Sequence, residues 1–214
     1  YPEEFFKERV HAIRRPRPDE FQIKEAAEKI KSSKNPIIIS GGGVFYSDAM
    51  EELSQFAIKH NIPVTQTVMG YSTMKRDHSH FAGQIGGLGG KNTNTLAKET
   101  DLAIAVGTKL ADFTTGSWAN FENKNFKLVS INVSRFDANK HLAQAVIGDA
   151  KVSLTELSQV LGSWKAGEEW NKKSQIELKS WNDHIDKESA PTNQEVPSYV
   201  QVIGAIYRNS DPTD

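Results

Sequence analysis

The chain is expected to fold as an α/β domain, a parallel, doubly wound Rossmann-like sheet of five to six strands with helices on both faces. Three observations point there. Short continuous apolar runs, the β-branched "PIIIS" and "LAIAVG" among them, read as strands buried on both faces. Between them lie segments with helical spacing of apolar residues. The two kinds alternate along the chain, and glycines follow the first and third of the clear strands.

The elements follow in order. Residues 1–18 are charged and end in "RRPRP", where prolines among arginines favour an extended, exposed strap. "DEFQIKEAAEKIKSSKN" is an amphipathic helix with Asp19 as its N-cap and Phe21, Ile23, Ala27 and Ile30 on one face. The first strand spans 36–40, and "GGG" is a turn into a helix that starts near Ser47 and Asp48. Strands are then expected near 63–68, 102–106, 127–133 and 145–147, with a sixth possible near 81–84. Helices are expected near 92–99, capped by Asn92 or Thr93, and over 151–161. Beyond Trp164 the chain turns highly charged, with Trp170, Ile176 and Trp181 as a helical stripe. A linker, "APTNQEVP", precedes a last helix whose apolar face carries Val200, Ile203 and Ile206. Three units result: a strap at 1–18, a central α/β domain at 19–164, and a charged helix, linker and helix start at 165–214.

Composition narrows the function. The 214 residues contain 26 Lys+Arg and 27 Asp+Glu, a balance that gives no reason to expect nucleic acid or an anionic membrane as partner. Absence of cysteine removes disulfides, cysteine metal clusters and a cysteine nucleophile, and fits a reducing, cytoplasmic setting. No apolar run reaches the roughly 20 residues that cross a bilayer. The N-terminal stretch lacks the apolar segment of a signal peptide and lacks a methionine, so the chain is expected to be an excised piece.

Motif spacing decides which chemistries the glycine-rich and polar stretches can carry. "GQIGGLGGKNTN" holds five glycines and a lysine, yet a P-loop needs glycine at 85 and a hydroxyl at 92, where Ile85 and Asn92 stand. "GGGVFY" matches two of three glycines of a dinucleotide fingerprint, and "VTQTV" offers no acidic residue for a ribose. The amides of Gly42, Gly43 and Val44 could face an anion, or the glycines could only permit a tight turn. Asp77, His78 and His80, with His141, are spaced too loosely for a metal site and are expected in a solvated loop. Asn132-Val133-Ser134 matches a glycosylation sequon but falls on a buried strand. Trp118 and Trp164 are expected as core or interface aromatics. Asp112 follows a strand end, where open sheets place ligands, and is a candidate polar contact. These residues offer no catalytic acid, base or nucleophile.

Four stretches, "NPIIISGGGV", "IPVTQTVMGYSTMKRDHSHFAGQIGGLGGKNTN", "TDLAIAVGTKLADFTTGSW" and "INVSRFDANKH…VIGDAKVSLTEL", together resemble the central domain of thiamine-diphosphate-dependent enzymes of the acetolactate synthase-like superfamily. The likeness covers about residues 19–162. Its third and fourth stretches are most similar to a hydrolytic branch that opens a cyclic 1,2-diketone in myo-inositol catabolism, releasing 5-deoxyglucuronate. The resemblance implies three α/β domains, with thiamine diphosphate and Mg2+ held by the first and third, whose motifs are absent here. It implies that the isolated chain is inactive, that its partners are the missing N- and C-terminal domains, and that the intact protein is a homo-oligomer. It implies no catalytic residue and no metal ligand in this chain. Some relatives bind FAD or ADP in the central crevice, at positions that match Gly42, Gly43, Thr67, Gly70, Gly86, Gly87, Gly89, Gly107, Thr108, Lys109 and Asp149 here. Relatives that hold FAD tend to carry aspartates where this chain has Asn132 and Ser134, which argues for a vestigial crevice that serves as scaffold. The alternatives are an FAD- or ADP-binding middle domain of a related enzyme, and a sirtuin-like NAD site, against which the lack of zinc-binding cysteines weighs.

Overall fold

The computed structural model describes residues 1–12 and 14–211. Six parallel strands form one sheet: β1 (Pro36–Ser40), β2 (Val64–Gln66), β3 (Phe81–Gln84), β4 (Leu102–Val106), β5 (Lys127–Asn132) and β6 (Gln144–Ile147). Their order is β3-β2-β1-β4-β5-β6, so chain direction along the sheet reverses between β1 and β4. The register pairs Ile38 with Val64 on one side and with Ile104 on the other. The sixth strand near 81–84 is present at the edge, where a bulge between Val64 and Thr65 shifts its register.

Alternation along each strand sends side chains to two cores. Ile38, Val64, Ile104, Val129, Ile131 and Val146 face α1 (Glu20–Lys31), α3 (Met50–His60) and α7 (Ala150–Leu161). Ile37, Ile39, Ala103, Ala105 and Leu128 face the opposite layer, built by α4 (Lys91–Glu99) and α8 (Glu168–Glu188). Trp164 packs on the first core and Trp118 on the second, as expected of both.

Helix starts follow capping chemistry. Asp19 accepts the Phe21 amide at 2.9 Å and begins α1. Phe21 leaves the expected stripe and is exposed, because the buried face runs through Ile23, Ala26, Ala27 and Ile30. The "GGG" turn is itself helical: α2 (Gly42–Tyr46) is a single short helix. The next helix therefore starts later than expected, at Met50, after Asp48 adopts φ 52°. α4 starts at Gly90 with no side-chain cap, so neither Asn92 nor Thr93 caps it. Asn92 is turned to the Ala82 carbonyl and Thr93 to the carbonyls of Gln84 and Gly90.

The region beyond Trp164 folds back on the sheet. Trp170 is buried and its indole N–H donates to the Pro36 carbonyl at 2.8 Å. The inward stripe of α8 is Trp170, Ser174 and Leu178, while Ile176 is exposed, since positions four apart share a face. α9 (Tyr199–Asn209) begins with a capping box between Ser198 and Gln201. Arg208 donates to the Ser189 carbonyl and Gly204 sits against Ser189, which leaves Val200, Ile203 and Ile206 on the exposed side.

Candidate functional site

The strand order places a topological switch point at the carboxyl ends of β1 and β4, the position where open α/β sheets bind ligands. The loops after these strands are Ser40–Gly43 and Gly107–Leu110. They interlock. Gly41 donates its amide to Val106 at 2.9 Å and Gly43 to Gly107 at 2.9 Å. A Cβ on Gly43 would lie 2.6 Å from the Gly107 Cα, and one on Gly41 would lie 2.4 Å from the Gly107 carbonyl oxygen. Gly107 takes φ 60°, a conformation that favours glycine.

The loop after β2 closes on the same point. Thr67 donates its amide to the Ser40 carbonyl and accepts the Gly70 amide on its hydroxyl at 3.0 Å. A Cβ on Gly70 would stand 2.1 Å from the Ser40 carbonyl oxygen, and one on Gly42 would stand 2.9 Å from that of Met69. Glycine here lets three loops touch backbone to backbone. The amides of Gly43 and Val44 are consumed inside this contact, the second by Gly41, so the anion-facing reading loses two of its three donors.

The "GQIGGLGGKNTN" loop is a separate cluster at the same end. Asn94 accepts from the Gly86 amide and donates to its carbonyl, each at 3.0 Å. Gly86 has φ 102°, and a Cβ there would meet the Phe113 carbonyl oxygen at 2.1 Å. Gly87 donates to that same oxygen at 2.7 Å, and Gly89 to the Gly86 carbonyl at 2.9 Å. The loop is therefore folded against α5 (Asp112–Thr115), and its glycines serve this fit.

Thr108 and Lys109 belong to the β4 side. The Thr108 carbonyl accepts from the Asn132 side chain at 3.1 Å, which ties the ends of β4 and β5 and explains why Asn132 is buried. Lys109 is exposed and forms no ion pair among the described residues. Asp137, just beyond β5, is held below the usual carboxylate range, first by its hydrogen bond from Lys140, with Lys109 adding a smaller pull. His141 is held below the usual histidine pKa, first by burial and then by the Lys140 charge, and Asp112, exposed at the start of α5, opposes this only in part.

Asp149 stands apart from the crevice, at the end of β6, and its carboxylate is fully used. It caps α7 through the amides of Lys151 and Val152 and pairs with Arg15, both oxygens lying 3.2 Å from Nη1. The same Arg15 nitrogen reaches the Ser47 hydroxyl at 3.0 Å and the Ser47 carbonyl. The Asp149 amide donates to Pro16 at 2.9 Å, and Arg17 pairs with Glu156 at 2.7 Å. The strap is thus stitched across the domain, a role for Arg15 that sequence reasoning missed; the only signal was the proline-flanked arginine run.

The polar loop before β3 is less solvated than expected. His80 is buried, with Nε2 3.1 Å from the Asn61 side-chain oxygen, and His78 meets the Ser54 hydroxyl at 3.0 Å. His141 packs on Trp118 instead, ring centres 4.3 Å apart. No group of three or more His, Asp or Glu among the described residues could hold a metal ion. No described helix is long and apolar enough to cross a membrane.

Residues 23–157 match the family model described as thiamine pyrophosphate enzyme, central domain. The chain belongs to this family.

Several relatives of this central domain are trihydroxycyclohexane-1,2-dione hydrolases. It is 46% identical over 161 residues to 3D-(3,5/4)-trihydroxycyclohexane-1,2-dione hydrolase of Clostridium perfringens strain 13, covering 75% of this chain and 25% of that protein. It is 45% identical over 157 residues to the corresponding hydrolases of Bacillus cereus strain ZK and Bacillus thuringiensis strain Al Hakam, covering 73% of this chain and 24% of each. The chain thus matches about a quarter of the length of these curated relatives.

Proposed function

We propose that this central domain serves a thiamine-diphosphate-dependent hydrolase that cleaves a C–C bond of trihydroxycyclohexane-1,2-dione, opening the ring to 5-deoxyglucuronate in inositol catabolism. The observation that carries this is the 46% identity to hydrolases of that name over three quarters of the chain. The cofactor, when bound with Mg2+ by other domains, supplies a carbanion-stabilising ring. No residue of this chain is given a chemical step, and the chain alone is expected to be inactive. The intact protein is a cytoplasmic homo-oligomer in this reading, and this domain's partners are the cofactor-binding domains.

The domain's own role is that of a scaffold with a closed nucleotide crevice. This is supported by the amides of Gly41, Gly43 and Val44, all bonded within the protein, and by the missing space beside Gly43 and Gly107. It is supported further by exposed Phe45, Tyr46, Met69, Phe113 and Phe136 on elements that follow four of the strands, a rim suited to packing against other domains. Two experiments test the reading. The full-length protein should hydrolyse the cyclic diketone; turnover of pyruvate with none of the diketone would refute the assignment. Calorimetry of this chain with FAD, ADP and NAD should give no heat of binding, and micromolar affinity for FAD or ADP would replace the scaffold with a nucleotide-binding middle domain.

A further inference from the structure

The linker from α7 into α8, residues 162–167, is held by the end of α3. The Ala166 amide donates to the His60 carbonyl at 2.9 Å. Asn61 Nδ2 donates to the carbonyls of Ala166 and Gly167 at 3.2 and 3.3 Å. These acceptors fix the side-chain amide: Nδ2 faces the linker, so Oδ1 faces His80 Nε2, 3.1 Å away. His80 Nε2 therefore carries a proton and donates it to Asn61. The His80 backbone amide donates in turn to His78 Nδ1 at 3.1 Å. That nitrogen must be bare, which puts the His78 proton on Nε2, 3.0 Å from the Ser54 hydroxyl of α3. Asn171 of α8 donates to the Ser79 carbonyl at 3.4 Å. The turn at 78–80 thus reaches the start of α8 twice, once directly and once through Asn61.

We propose that His78 is the trigger of an acid-released latch on the start of α8. Histidine changes charge between pH 5 and 8. A protonated His78 ring has two donors and no acceptor, so the amide of buried His80 loses its bond. The new charge also lies beside the His80 ring, whose centre is 5.8 Å away, and disfavours a second proton there. The turn has to rebuild, and His80 then stops holding Asn61 against the linker. Burial first, and the His78 charge second, lower the proton affinity of His80, so the closed latch is the neutral one. The charged groups around the turn do not offset this. Lys75, Arg76 and Asp77 of the same loop are exposed. On α3, Glu51 accepts from Gln55, Glu52 pairs with Lys151, and Lys59 donates to Ser158. On α8, Glu168 and Glu169 pair with Lys165 and Lys172. His60 keeps the other end of the linker tied. Its Nδ1 lies 2.7 Å from the Trp164 carbonyl and donates to it whether the ring is neutral or charged. The release is therefore confined to Ala166, Gly167 and the first turn of α8.

The test is amide hydrogen exchange of this chain, 15N-labelled, at pH 7.5 and 5.5, corrected for the intrinsic pH dependence of exchange. Protection of the Ala166 amide should fall about tenfold at the lower pH, the change that one unit of pKa separation gives. The Ile38 amide, bonded to the Pro63 carbonyl within the sheet at 2.9 Å, should keep its protection. His78→Asn places a side-chain oxygen that accepts the amide two residues on and does not titrate. This variant should hold Ala166 protected at pH 5.5. Equal protection of Ala166 at both pH values in the wild type would overturn the latch. A parallel loss at Ile38 would make the change global unfolding and overturn it as well. The same loss of Ala166 protection in His78→Asn would remove His78 as the trigger.

Discussion

Gly70 and Gly107 show how single residues decide the crevice. Gly70→Ala would drive a methyl to 2.1 Å from a backbone oxygen, which only a loop movement can relieve. Gly107→Ala adds the strain of φ 60° to a 2.6 Å contact. Each should cost about 2 kcal/mol or more in urea unfolding, and wild-type stability in either would show that the loops do not interlock. Asp149→Ala removes a buried cap and should cost about 1–2 kcal/mol, with the amide of Val152 exchanging faster. The glycines were legible as turn formers in the sequence. Their partners were not, because the contacts join positions some 65 residues apart, such as Gly41 and Gly107, and no local pattern encodes them.

His60 adds a pH dependence at the same scale. Burial lowers its proton affinity, opposed by the Trp164 carbonyl, which its Nδ1 approaches at 2.7 Å. The folded state thus binds the proton less well than the unfolded chain. Stability is full above the ordinary histidine pKa, about 6.5, and is lost as pH falls below it. Buried His80 acts in the same direction. Unfolding measured from pH 7.5 to 5 should show this loss, and His60→Gln should flatten it without abolishing it. An unchanged slope would mean that His60 is equally basic in both states.

At the scale of elements, α8 separates pattern from packing. A charged helix with three large apolar residues was legible, but Trp170, Ile176 and Trp181 are spaced by six and five, and the face toward the sheet follows 170, 174 and 178. Ser174, a small polar residue, gave no signal at the contact, yet it is fully buried there. Trp170→Ala should therefore destabilise by about 3–5 kcal/mol, whereas Ile176→Ala should stay within about 0.5 kcal/mol. Equal effects in thermal or urea unfolding would reject the docking of α8. The strands fared better. β1 and β4 were readable to the residue because short continuous apolar runs bounded by turn residues mark strands buried on both faces. β3, with a glycine and a glutamine in four residues, was only a possibility.

For the whole molecule, the alternation of strand and helix was enough to foresee a parallel sheet. The reversal between β1 and β4, which creates the crevice, is a property of order in space that alternation leaves open. The strap is the other whole-molecule feature. Arg15 joins residues 134 positions apart when it binds Asp149, and Pro16 accepts the Asp149 amide. Arg15→Ala should release the strap, seen as faster hydrogen exchange at the Asp149 amide with the sheet amides unchanged. Unaltered exchange there would mean that Pro16 and the Arg17–Glu156 pair suffice.

The interlocked glycines have a consequence for engineering this fold. The loops after β1, β2 and β4 share their backbone surfaces, so they behave as one exchangeable part with three chain segments. Grafting a single loop from a nucleotide-binding cousin would set a foreign side chain against its unaltered neighbours. Recombination that keeps the three segments from one parent should give folded chimaeras, and crossovers that divide them should not. The unit of inheritance at this end of the sheet is the trio.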